Sequence, residues 1–247
     1  METEKHNLAE KAYQRLLDDI QQFRLAPGES ISDYYLSQQL QMSRTPIRLA
    51  LLRLEQEGLV ETNATRKMMV SRLTIVDIRE IYEAREAIEC KAARLIIDHG
   101  GLRPEQSREL WAIHARLVQS VAEKNLEENF SADSSFHLRI MEYAGNSRLT
   151  AFFHRLSSQS TRARYISALS PEWFEKTIAD HEDILNAFMA QDKVLLNQAI
   201  TRHLEDSVEN YGRLLSSLPN YAALGLSLFK EPSDCGGRGT KTKEQED

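Results

Sequence analysis

No apolar run in this chain approaches the roughly 20 residues that a membrane-spanning helix requires. Cysteine is nearly absent: Cys90 falls in a helical pattern and Cys235 in a polar tail, which excludes a disulfide framework and suits a reducing cytoplasm. Glycine and proline are scarce, 10 and 6 in 247 residues. That is too few turn formers for a many-stranded β fold, so helices should dominate. The opening residues, METEKHNLAE, are polar and acidic and do not read as a signal peptide. A basic excess is missing as well. The net charge is −6, which argues against general nucleic-acid binding. What remains is ordinary for a soluble globular protein, 41% hydrophobic and 28% charged, and long enough for one large domain or two modest ones.

The charge is unevenly spread. Residues 1–72 hold ten basic and ten acidic side chains, so the remainder carries the whole excess of −6. Within the neutral part, 41–53 (QMSRTPIRLALLR) holds Arg44, Arg48 and Arg53 and no acid. Leu8, Ala12, Leu16, Ile20 and Phe23 recur at helical spacing and predict a helix over 7–23, stopped by Leu25-Ala26-Pro27-Gly28. Ser32 is suited to cap a short second helix over 32–40. Gln41-Met42-Ser43 makes a tight break before a third, with Thr45 as its cap and Pro46 at the first helical position. The inward face of this third helix is Ile47, Ala50, Leu51 and Leu54, and Gly58 ends it. LVET (59–62) and MMVSRL (68–73) suit two strands around Asn63-Ala64-Thr65-Arg66-Lys67, a wing with a basic tip. Three helices and a wing in this order make a winged helix-turn-helix, which sets the start of its third helix in the major groove. Arginine there can bind guanine or phosphate through two parallel hydrogen bonds. A three-helix interaction unit with solvated arginines is the alternative. The basic helix start together with the basic wing tip favours DNA, with Ser43, Arg44, Thr45, Arg48, Arg53, Arg66 and Lys67 as its contacts.

From Thr74 onward six helical segments follow, roughly 77–98, 105–124, 127–144, 146–168, 171–190 and 192–216. Thr74 with Asp77, and Ser170-Pro171, suit helix starts. Gly100-Gly101 and Gly145-Asn146 suit stops. Short connections imply antiparallel neighbours, as in a bundle. The expected architecture is mainly α: a winged helix-turn-helix over 1–73, an antiparallel helical bundle over 74–218, and a tail over 219–247 whose composition reads as disordered from about 231.

The stretch ADSSFHLRIM (132–141) places Asp133 and His137 one turn apart, on one helical face. His181 precedes the Gln191-Asp192 turn by about as much as His203 follows it, so both lie roughly 15–17 Å from that turn. Antiparallel helices would bring the two histidines to one level, where the Asp133–His137 turn could complete a set of three imidazoles and a carboxylate. Such a set suits a divalent transition metal. Spacing alone leaves a metal site and scattered surface histidines both open. It does not choose the metal, and His154 could also point inward.

LSQQLQMSRTPIRLALLRLEQEGLV closely resembles the GntR family of bacterial transcription regulators, whose reading helix opens with a Ser-Arg-x-Pro-x-Arg pattern, and APGESIS is similar to that family's proline-glycine segment. The resemblance implies that Arg44 and Arg48 read DNA, that Thr45 and Pro46 shape the helix start, and that Lys67 belongs to the wing. Two features depart from the family: Leu49-Ala50 stands where Glu-Ala is usual, and TNATRKMM lacks a wing glycine. The helical part resembles the FCD ligand-binding domain of a FadR-like subfamily, through Asp133, His137, His181 and His203 and through YEAREAIECKAARL with Arg85 and Glu89. This second likeness implies a bound zinc, nickel or manganese that leaves positions open for a small organic acid. The acid needs counter-charges, and Arg85, Arg162 and Arg164 can pair with a carboxylate through two bonds. The expectation is a cytoplasmic homodimeric regulator, a repressor in the commoner direction, binding operator DNA and a carboxylate effector. A helical hydrolase or di-iron oxygenase is the rival from another class, but HEDIL (181–185) lacks the second histidine of a metalloprotease helix and no pair of Glu-x-x-His motifs is present. A structural zinc in an interaction protein is the second rival.

Overall fold

A computed structural model describes residues 2–167, 170 and 172–217. The tail expected over 219–247 and Pro171 lie outside the described residues. α1 (Glu2–Gln21) packs on α3 (Arg44–Gln56), with Ala12, Leu16 and Ile20 against Ile47, Leu51 and Leu54 in one buried cluster. Between them α2 (Asp33–Gln39) starts at Ser32, whose Oγ accepts from the Tyr35 backbone N–H at 3.3 Å. The start of α3 differs from expectation. Gln41 takes a left-handed φ of 51° and turns the chain early, so Ser43 is the N-cap and Pro46 the third helical residue. Proline is tolerated there because the first-turn N–H groups have no partner within the helix.

The wing is a three-stranded antiparallel sheet in the order β1 (Ser30–Ile31), β3 (Met68–Val70), β2 (Val60–Thr62). β3 is central, pairing Met69 with both Ser30 and Glu61. β1 was not expected, because a two-residue strand has no periodicity of its own and exists only through its partner far along the chain.

Six further helices follow: α4 (Ile75–Asp98), α5 (Pro104–Ala122), α6 (Leu126–Tyr143), α7 (Ser147–Ser167), α8 (Glu172–Ala190) and α9 (Lys193–Ser217). Thr74 and Asp77 form a reciprocal cap at the head of α4: the Thr74 N–H donates to Asp77 Oδ2 at 2.7 Å and the Asp77 N–H to Thr74 Oγ1 at 3.2 Å. α4 lies along α9, α5 along both α6 and α8, and α8 along α9. Phe136, Ile140, Leu185, Phe188, Ile200 and Leu204 are among the buried residues of this second core.

α7 joins the two parts. Phe23, Ile166 and Leu214 form a small apolar cluster between them. Arg155 Nη2 donates to the Gln56 carbonyl at 3.0 Å, Gln159 Nε2 to the Glu57 carbonyl at 2.7 Å, and Arg162 Nη1 to the Ser71 carbonyl at 2.5 Å. At this seam Gly58 has φ +76°, and a Cβ there would come within 2.5 Å of Gln159 Nε2.

Candidate metal centre and nucleic-acid interface

Asp133 and His137 project from α6, His181 from α8 and His203 from α9, all four buried, with candidate ligand atoms within 4.8 Å of one another. His137 Nε2 and His203 Nε2 are 3.3 Å apart. Asp133 Oδ1 lies 3.5 Å from His181 Nε2 and 3.9 Å from His137 Nε2. The far side of one ring is held by a carboxylate, and that of a second faces one at longer range. His137 Nδ1 meets Glu89 Oε2 at 2.6 Å, and Arg85 Nε donates to Glu89 Oε1 at 2.7 Å. His203 Nδ1 faces Asp180 Oδ2 at 3.5 Å. A carboxylate on Nδ1 keeps the proton there and turns the Nε2 lone pair inward. His181 stacks on Phe136 with ring centroids 4.1 Å apart, and neither of its ring nitrogens has a hydrogen-bond partner although the residue is fully buried.

Charge at the cluster follows from these contacts. Burial alone would raise the Asp133 carboxyl, but the Arg164 guanidinium holds it well below the ordinary carboxylate range. Arg164 Nη1 donates to Asp133 Oδ2 at 2.7 Å. Burial pushes His137 and His181 below the usual imidazole value, and in His181 the neighbouring rings of His203 and His137 add to it. Neutral rings beside an ionised carboxylate are the protonation states that a cation requires of its ligands. His137 Nε2 and His203 Nε2, 3.3 Å apart, can share one ring's proton or hold a cation between two lone pairs. The residues present therefore fit a divalent metal.

Beside the cluster is a cavity of about 20 Å³ lined by Tyr82, Arg85, Asp133, His137, Arg164 and Tyr211 among others. That volume holds about one water, less than a small organic acid. Arg85 and Arg164 line it. Arg162 does not, because it is turned to the Ser71 carbonyl at the seam with the winged helix. His154 is exposed and outside the cluster.

Arg44 and Arg48 emerge together at the head of α3. Both bind Asp33 on α2: Arg44 Nη2 lies 2.9 Å from each carboxylate oxygen and Arg48 Nε 2.7 Å from Oδ2. Ser43 and Thr45 are exposed beside them. Arg53 is set apart. It pairs with Glu10 at 2.8 Å and Glu57 at 3.2 Å and covers the Tyr13 ring at 3.6 Å, facing α1 and the seam. At the wing tip, Asn63 Oδ1 accepts from the backbone N–H groups of Thr65 and Lys67. Arg66 takes a left-handed φ of 59°, filling the role a wing glycine would otherwise have.

Residues 80–206 match the FCD domain and residues 8–70 the bacterial regulatory proteins of the gntR family. The chain belongs to the GntR family of transcriptional regulators. Among its relatives are the HTH-type transcriptional repressor RspR of Escherichia coli K12, 27% identical over 207 residues, covering 81% of this chain and 87% of that protein, and the Nta operon transcriptional regulator of Aminobacter aminovorans, 28% identical over 166 residues, 66% of this chain and 74% of that protein. The solved structure of E. coli McbR/YncC shares the fold, with a TM-score of 0.71 at 21% identity over 83% of this chain and 97% of that one. GntR/FCD proteins are regulators and not enzymes, so the hydrolase and oxygenase readings fall. Among the described residues, no helix is long and apolar enough to cross a membrane.

Sequence reasoning missed four contributors to these sites. Asp180 directly precedes His181, so its side chain turns about 100° away and meets His203 instead. Tyr82 shares a helical face with Arg85 and Glu89, a spacing that was readable. Tyr211, whose hydroxyl accepts from that of Tyr82 at 3.2 Å, had no local signal. Asp33 could have been noticed only as the acid nearest a basic patch.

Proposed function

We propose that this regulator is a cytoplasmic homodimeric repressor that binds operator DNA through the head of α3 and senses a small organic acid at a metal held by Asp133, His137, His181 and His203. The observation that carries the sensor reading is the convergence of three inward Nε2 atoms on an ionised carboxylate, with the buried His181 nitrogens otherwise unsatisfied. Three nitrogens and one oxygen suit zinc first, with nickel and manganese next. Bound there, the metal would offer open coordination positions to a carboxylate. Arg85 and Arg164, at the cavity wall, supply the counter-charge. The 20 Å³ cavity has to widen to admit the acid. Two units, 1–73 and 74–218, carry the two tasks.

α7 offers the connection between them. Arg155, Gln159 and Arg162 bind backbone carbonyls of the winged helix, while Arg164 on the same helix binds Asp133. An acid that draws Arg164 from Asp133 therefore acts on the helix that seats the DNA-binding part. Changing operator occupancy tenfold requires the acid to prefer one arrangement by about 1.4 kcal/mol. The repressor assignment leans on the relative from E. coli K12 that is named a repressor.

Elemental analysis tests the centre: purified wild type should hold about one divalent metal per chain and His181→Ala much less, and equal content sinks the assignment. Fluorescence anisotropy on promoter DNA tests the reading head, where Arg44→Ala and Arg48→Ala should each weaken binding. A screen of organic acids by thermal shift on metal-loaded protein completes the test. A melting temperature that rises with metal but never with acid reduces the centre to a structural role.

A further inference from the structure

The two reading arginines share one anion, and it comes from another helix. Arg44 is the first residue of α3, whose first turn contains no acid. A helix N-terminus carries positive partial charge, so two guanidiniums there are unfavourable for the helix and for each other. Asp33 is the first residue of α2, where the same partial charge favours a carboxylate. Its side chain is 20% exposed, against 52% for Arg44 and 65% for Arg48. The carboxylate therefore lies beneath, with both guanidiniums facing outward above it.

The hydrogen bonds divide the arginines into two types. Arg44 gives its Nε and Nη2 edge to Asp33, at 3.3 and 2.9 Å. Arg48 gives only Nε, at 2.7 Å. The end of Arg48 that carries Nη1 and Nη2 has no protein partner among the described residues, and that fork matches the O6 and N7 acceptors of guanine. The trio carries a net +1 where the arginines alone would carry +2.

We infer that Asp33 is a positioning residue for DNA specificity: it aims the Arg48 fork at a guanine and removes one unit of charge that would otherwise hold any phosphate backbone. This rests on the reading of α3 as the DNA-contacting helix. Asp33 thereby lowers non-specific affinity and raises discrimination.

The test uses the full chain, a duplex selected from a random-sequence pool and a scrambled duplex of equal length, with affinity measured by anisotropy across a salt series. Asp33→Asn keeps the shape and removes the charge. Its ratio of selected to scrambled affinity should fall about tenfold, the worth of one two-bonded base contact. On scrambled DNA it should bind more tightly, and its log affinity against log salt should steepen by about 0.9, one further neutralised phosphate. Asp33→Ser, which also suits a helix start, should move the ratio the same way. A ratio left at the wild-type value in either folded variant overturns the proposal, including the case where both affinities rise together because the carboxylate is merely a competitor. Arg44→Ala and Arg48→Ala on the same duplexes separate the two failures. If they lose binding while the Asp33 variants keep the ratio, the positioning role alone falls. If they bind like wild type, the reading of α3 falls with it.

Discussion

A neutral imidazole has one N–H and one lone pair, and the protein around His137, His203 and His181 disposes of them unequally. His137 is the most firmly oriented, through Glu89 at 2.6 Å with Arg85 behind it. Burial would raise the Glu89 carboxyl, but Arg85 and then His137 drive it down to about 2, so it stays an anion. His203 has the longer Asp180 contact, and His181 has only the face of Phe136. Outer carboxylates on ligating histidines are typically worth 10–100-fold in metal affinity. Glu89→Gln should therefore lose that much, while Asp180→Asn, acting across 3.5 Å, loses less. Competition against a chromogenic chelator measures both, and equal losses would remove the assigned hierarchy. Metal at a hundred times its Kd should stabilise the fold by about 2.7 kcal/mol, read as a melting temperature that falls on adding chelator and recovers with zinc.

At the level of elements, the wing shows how a departure from the family pattern is accommodated. A non-glycine residue in the left-handed region costs on the order of 1–2 kcal/mol, and at Arg66 the turn is supported by Asn63 accepting from Thr65 and Lys67. Arg66→Gly relieves that strain but frees the unfolded chain, so stability should change by less than about 1 kcal/mol. The charge is lost outright, and the salt slope of operator binding should fall by about 0.9 if the tip touches one phosphate. Urea melts and a salt titration check the two halves, and an unchanged slope removes Arg66 from the interface. Much of this architecture was legible beforehand, because helix periodicity and the Thr74–Asp77 cap are local signals. So were the one-turn Asp133–His137 spacing and the equal distances of His181 and His203 from their turn. β1 and the Tyr82–Tyr211 contact were not, because they exist only through distant partners. Arg162 is a different lesson. Two residues apart on a helix lie about 200° apart, so Arg162 and Arg164 could never have served one cavity. The periodicity already implied that one of them faces elsewhere, and it faces the Ser71 carbonyl.

Over the whole molecule, the two parts meet at a seam where α7 contacts the winged helix. The Arg155 and Gln159 hydrogen bonds, and that of Arg162 to Ser71, end on backbone carbonyls, so these bonds hold the position of the chain without depending on the side chains of the partner. If an acid binds at the proposed centre and acts through this seam, it would alter DNA binding only as far as it shifts the equilibrium between arrangements of the seam. Removing Arg155 and Gln159 together should leave metal content and the acid-dependent melting shift intact, because neither residue lines the cavity at the cluster. It should also bring the acid-induced change in operator affinity toward unity, since the two ends no longer share a rigid connection. Gly58→Ala approaches the same contact from the other side. Its Cβ would meet Gln159 Nε2 at 2.5 Å on a backbone already at φ +76°, so it should reproduce the double variant with no change to α7. Anisotropy with and without acid, alongside thermal shift, distinguishes the cases. If both variants keep the full acid response, α7 is only packing and the signal takes another route. If both lose it while still binding acid, the seam is the element that the effector moves.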